Sequence, residues 1–197
     1  MPDLTRRNPG VHRAVLDAAW SLTVEGGWQA ASVDAISARA GVGKRTVYRW
    51  WPAGKAAVVL EAFLDHARAR PAPAAGTRLD ELLQAHARHF VDLYAGTELG
   101  RVLAGLLGAA QTDAGVAETL QAHFFEPRRA PVRAAATACA ELPPDADVEL
   151  LLDLVFAPLH YRLLTGRPVD RAYADQVVDA VLGGFPGVTP RASAGSG

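Results

Sequence analysis

The chain has 197 residues, of which 50% are hydrophobic and 21% charged, with a formal net charge of −1. This composition excludes a disordered polymer and suits one or two small domains with a sizeable core. The single cysteine, Cys139, excludes an internal disulfide and a cysteine-based structural zinc site, and points to a reducing, cytoplasmic setting.

The near-zero total hides an asymmetry. Residues 1–55 carry eight Lys/Arg against four acids, whereas the remainder carries 12 against 17. Polyanion contact, if present, is therefore expected in the first quarter. No run reaches the about 18 apolar residues of a spanning helix, and the opening Met1 to Asn8 lacks the apolar run of a secretory signal. No membrane association is expected.

In chain order, residues 1–10 read as a flexible basic arm, with Arg6 and Arg7. From Val11 to Glu25, apolar residues at spacings of three and four make a helical stripe, which Gly26-Gly27 stops. Ser32 suits an N-cap for a short helix over Val33–Ala40, with Asp34 in its first turn. Gly41-Val42-Gly43 is a turn, and a second short helix runs from Lys44 to about Trp51. Pro52-Ala53-Gly54 ends it, and helical period resumes from Lys55 to Arg70.

Pro71 to Gly76 reads as a linker. Thr77 and Asp80 resemble a capping box opening a helix to Tyr94. Gly96 and Thr97 mark a turn before a helix over Leu99–Ala110. Gly115–Glu126 and Pro127–Ala140 read as one bent or two consecutive helices, with Pro127 at a helix start. Asp147–Thr165 is apolar on two sides and holds Pro158, where a kink is expected. Arg171–Leu182 is the last helix, and 187–197 reads as a disordered tail. The fold class is all-α, with about nine helices. An N-terminal three-helix domain over 11–55 precedes a helical body over 56–186.

The informative stretch is 32–51. Two short helices joined by a glycine turn form a helix-turn-helix. Ile36 and Ala40 are expected to pack on Val42 and Val47 and fix the crossing angle. The second helix is about 10–12 Å long at 1.5 Å per residue, which suits the width of a major groove. Its leading residues are Lys44, Arg45 and Thr46. Cations at a helix N-terminus oppose the macrodipole, so they point to phosphates and base edges as the intended neighbours. The competing reading of Lys44 and Arg45 is a solvated pair.

At Gly27-Trp28, Ala40-Gly41-Val42, Thr46-Val47-Tyr48 and Trp51-Pro52 the chain resembles the TetR family of bacterial transcriptional regulators, over about Val11 to Phe63. The sub-pattern from Ala40 to Pro52 is similar to the family's actinobacterial branch. The resemblance implies a homodimer, a palindromic operator and an effector pocket in the C-terminal domain. It further implies a phosphate contact for the Tyr48 hydroxyl and a phosphate or base contact for Thr46. Lys44 and Arg45 are the expected base readers, with Arg49 reaching the backbone and Trp50 touching sugar or phosphate. Trp51 is expected in the core. Ser32 caps its helix and is a further candidate phosphate contact. Gly43 stands where the family often has a hydroxyl cap. Gly54 stands where the family usually has a lysine, so Lys55 either keeps that phosphate contact or is displaced from it by an insertion.

Catalytic and metal motifs are absent from the sequence: there is no Glu-x-x-His, His-Glu-x-x-His, Gly-x-Ser-x-Gly or P-loop. His86 and His89, three apart, read more readily as pocket or surface residues than as metal ligands. No enzyme activity, cofactor or metal is expected. The body reads as a sensor that encloses a small apolar effector. Candidate lining residues are His86, His89, Phe90, Tyr94, Leu103, Leu107, Gln111, Phe124, Phe125 and His160. The segments near 147–165 and 171–182 are candidates for a two-fold interface, two helices per subunit. The expected function is a homodimeric repressor released from its double-stranded DNA operator by that effector. The competing class is a helical enzyme or small-molecule carrier that binds no DNA.

Overall fold

The structure, a computed structural model, describes residues 8–67, 74 and 76–186. Arg6 and Arg7, most of the 71–76 linker and the tail from residue 187 lie outside the described residues. Every regular element among the described residues is helical: α1 (Pro9–Ala30), α2 (Val33–Ala40), α3 (Lys44–Trp50), α4 (Lys55–His66), α5 (Leu79–Tyr94), α6 (Glu98–Ala110), α7 (Ala114–Leu120), α8 (Glu126–Thr137), α9 (Val148–Leu164) and α10 (Arg171–Gly184). A π-helical turn, Gln121–Phe125, joins α7 to α8, so the all-α class expected from the sequence is the one observed.

Several boundaries follow from named side chains. Asn8 caps α1 through its side-chain oxygen, which accepts from Gly10 N and Val11 N. The expected stop at Gly26-Gly27 is instead a break in dihedrals: Gly27 sits at φ 72°, and helix resumes to Ala30. Thr97 caps α6, Asp113 α7, Asp147 α9 and Asp170 α10, each accepting a backbone N–H. The expected Thr77–Asp80 capping box does not form. Arg78 is the N-cap of α5, which places Asp80 one position too early to complete the box; Thr77 Oγ1 donates to Ala74 O instead. The π turn has a local cause. Pro127 has no N–H to give the carbonyl four residues back, and Glu126 N bonds Gln121 O, five residues back.

The chain divides into two compact units. The first holds α1–α4 with α6, α7 and the π turn. There α1 packs on α2, α4 and α6, and α4 packs on α6 and α7. Val15, Ala19, Ile36, Val47, Val58, Phe63, Leu103 and Leu106 are buried in it, and Phe63 of α4 meets Phe124 of the π turn at 5.2 Å. The second unit holds α5 and, from Pro127, α8–α10. There α5 packs on α9 and α10, burying Leu79, Leu82, Leu83, Leu151, Leu152, Val155, Leu159 and Val178. Forked ion pairs join Arg88 to Asp175 and Arg171 to Asp92 across α5 and α10. Arg129 and Arg133 of α8 hold Glu149 of α9, and the paired guanidiniums keep that carboxyl below its usual range.

Candidate nucleic-acid interface

Gly41 makes the turn between α2 and α3 possible. It adopts φ 66°, ψ 32°, the left-handed region that costs a side-chain-bearing residue about 1 kcal/mol or more. Its N–H and that of Val42 return to Ala38 O and Ser37 O, closing α2. α3 then packs on α2, with Ile36 and Val47 both fully buried. At the start of α2, Ser32 Oγ accepts from Ala35 N at 3.1 Å.

The six candidate residues on α3 are brought together by one short helix. Gly43 is its N-cap and supplies no side-chain hydrogen bond. Arg45 and Arg49 are exposed, and Thr46 is half-buried. Lys44 is exposed too, but Nζ lies 2.7 Å from Asp34 Oδ1 on α2; this hydrogen bond raises its ammonium pKa above the ordinary lysine value. Tyr48 is 52% exposed. Its ring borders Gly54, where an added Cβ would lie 3.6 Å from Tyr48 Cε1, and Gly54 itself has φ 66°. That left-handed backbone favours glycine, whereas a Cβ would meet the Tyr48 ring only at ordinary contact distance. Trp50 is half-buried, edge-on to Trp51 at 5.8 Å, with the Arg49 guanidinium 5.7 Å from its ring centroid.

Lys55 sits in a different setting. Nζ donates to Trp28 O at 3.3 Å and lies 4.4 Å from the centroid of the Trp28 ring, and burial pushes its pKa down. A phosphate contact would require it to leave Trp28. Trp51, by contrast, is 3% exposed, the core placement expected of it. Two participants escaped the sequence reading. Asp34, the counter-ion of Lys44, and Glu61, which bonds both His12 and Trp51, act across helices, where no local spacing rule applies.

The ten candidate effector residues fall in both units. In the second, the Phe90 ring meets Tyr94 at 5.0 Å and His160 at 4.6 Å, tilted 54° to each. The Arg128 guanidinium, also missed by sequence reasoning, interacts with the Tyr94 hydroxyl, and burial dominates the shifts of both. Nδ1–H of His86 and of His160 donates to the carbonyls of Leu82 and Phe156. His89 is half-buried. In the first unit, Leu103 and Phe124 are buried core, Leu107 and Phe125 are half-buried, and Gln111 is exposed.

Comparison with known proteins agrees with this geometry. The family model described as "Bacterial regulatory proteins, tetR family" matches residues 15–62, and that described as "Tetracyclin repressor-like, C-terminal domain" matches 74–181. The chain is 38% identical over 187 residues to the uncharacterized HTH-type transcriptional regulator YdeS of Bacillus subtilis, covering 92% of this chain and 91% of that protein. It is 28% identical over 181 residues to the DNA-binding transcriptional repressor TetR of Mycobacteroides abscessus, covering 86% and 90%. Among solved structures, the TetR family transcription regulator SCO0332 superposes with a TM-score of 0.66 at 32% identity, covering 91% of this chain and 99% of that one.

Proposed function

The chain belongs to the TetR family of DNA-binding transcriptional regulators, and from that premise we propose that it is a homodimeric repressor released from a palindromic operator by a small, largely apolar effector. The observation that carries this reading is α3: a seven-residue helix behind a glycine turn, with Lys44 and Arg45 exposed in its first turn. Two such helices, one per subunit, would enter successive major grooves, so half-sites should lie about one helical turn, or a multiple, apart. Lys44 and Arg45 read base edges, Arg45 forking onto guanine. Thr46, Tyr48, Arg49, Trp50 and Ser32 hold phosphate and sugar. Lys55 joins them only by exchanging Trp28 for a phosphate. The sub-pattern from Ala40 to Pro52 supports placement in the actinobacterial branch.

The proposed subunit interface is the outer face of α9 with α10. Leu150, Leu154, Ala157, Tyr161 and Leu164 are all exposed and recur at spacings of four and three, the seam of a helix meant for another helix. The effector reading is supported by the Phe90, Tyr94, His160 and Arg128 cluster, an apolar setting with a few polar groups. Effector binding represses or releases only by its differential affinity for the two body conformations. Its setting would be the cytoplasm, where DNA is accessible; among the described residues no helix is long and apolar enough to cross a membrane.

Selection of duplexes from a randomised library with the full chain tests this function. An inverted repeat should be enriched, and its affinity should fall steeply as salt rises. Absence of enrichment, or binding indifferent to salt, would favour the enzyme or carrier class.

A further inference from the structure

Trp51 closes α3. Its N–H returns to Val47 O at 2.8 Å, and its indole Nε1–H donates to Glu61 Oε2 at 2.5 Å. The other oxygen, Glu61 Oε1, lies 2.7 Å from His12 Nε2. The His12 ring in turn stacks on Trp51, 5.2 Å between centroids and 20° from parallel. One carboxylate thus joins α1, the C-terminal end of α3, and α4.

α3 needs such a fastening. Seven residues are too few for a helix to be stable alone. Its first turn holds cations and no acid, against the macrodipole, and its N-cap contributes no side chain. The glycine turn fixes where α3 begins and buried Val47 seats it against α2, which leaves the far end as the place where its rotation is further held. Trp51 and Glu61 are placed to set it, and the edge-on contact between Trp51 and Trp50 carries the constraint into the helix.

We propose that Glu61 is a positioning residue for DNA reading: by accepting the Trp51 indole N–H while paired with His12, it fixes the rotation of α3 that brings Lys44 and Arg45 into register with base edges. This rests on the regulator reading above, and Glu61 itself touches no DNA. Register matters for base contacts and much less for phosphate contacts. The signature is therefore a fall in the ratio of specific to non-specific affinity.

The test uses the full chain, the duplex enriched by the wild type, and a scrambled duplex of equal length, with binding followed by fluorescence anisotropy. Glu61→Ala should lower the ratio about tenfold, the scale of one charge-assisted hydrogen bond. Glu61→Gln keeps an oxygen for the indole and offers an amide N–H to His12 Nε2 in its acceptor tautomer, and should hold the ratio within about threefold. Trp51→Phe keeps a buried ring without the donor and should match Glu61→Ala. The double variant Glu61→Ala/Trp51→Phe should be no worse than the poorer single variant.

A Glu61→Ala ratio within about twofold of wild type, a Gln variant as impaired as Ala, or additive losses in the double variant would overturn the proposal. If thermal melting shows that Glu61→Ala does not fold, the Gln and Phe variants decide: retention by Gln with loss by Phe supports it, and any other pair of results overturns it. A wild-type chain that enriches no duplex would overturn the regulator reading itself, and this proposal with it.

Discussion

Arg45 and Tyr48 sit three residues apart on the same short helix, yet they should fail differently. A guanidinium that forks onto guanine distinguishes one base pair from another, and a phenol on a phosphate does not. Arg45→Ala should therefore weaken the enriched operator by about 1–3 kcal/mol and leave a scrambled duplex less affected. Tyr48→Phe should weaken both alike. Anisotropy titrations on the two duplexes separate these outcomes, and equal indifference to both changes would remove α3 from the interface. The side-chain types on α3 were legible because a cation at a helix N-terminus is anomalous on its own terms. That Lys44 is held by Asp34 was not legible, because the partners are ten positions apart in the chain and meet only when α2 and α3 cross.

Single helices were read well where the signal lies within one turn of chain. α2 spans Val33–Ala40, as the Ser32 cap and the Gly41 turn imply. Capping failed as a guide at Thr77, whose hydroxyl bonds Ala74 O while α5 starts one residue later. Periodicity also showed that α9 has two apolar sides, but not which side is inside. In the fold Leu151, Leu152, Val155 and Leu159 are buried, and Leu150, Leu154, Tyr161 and Leu164 are 43–57% exposed.

His160 lies near the end of α9, its ring tilted against Phe90 of α5. Burial chiefly, with the Arg129 charge, pushes its pKa below the ordinary histidine value. The sign follows from linkage. The unfolded chain binds this proton near pH 6.5 and the folded chain only at lower pH, so the stability that His160 contributes is present above about pH 6.5 and is lost as pH falls toward the folded value. Urea midpoints measured between about pH 7.5 and 5.5 should fall for the wild type, and His160→Gln should flatten that fall. An unchanged slope in the variant would show that other groups carry the pH dependence.

For the whole molecule, the exposed stripe of α9 carries the clearest consequence. Five positions at alternating spacings of four and three place a continuous apolar ridge in water, an arrangement that soluble monomers seldom leave uncovered. On α10, the exposed Ala172, Ala180 and Gly183 are small residues that would let a second copy approach closely. Leu154→Arg should convert the proposed dimer to a monomer in light-scattering chromatography. It should also weaken operator binding far more than binding to a single half-site, because two linked contacts become independent. A variant that remains dimeric would move the interface off this face.

By itself the sequence determined the all-helical class, the helix-turn-helix and the identity of its cations. All three depend on spacing, glycine turns and residue chemistry within a few turns of helix. Only the tertiary structure decided which apolar side of α9 faces solvent, that Lys55 rests on Trp28, and that Glu61 joins His12 to Trp51. Those facts depend on pairs of helices distant in the chain, and nothing in local spacing records which helix will become another's neighbour.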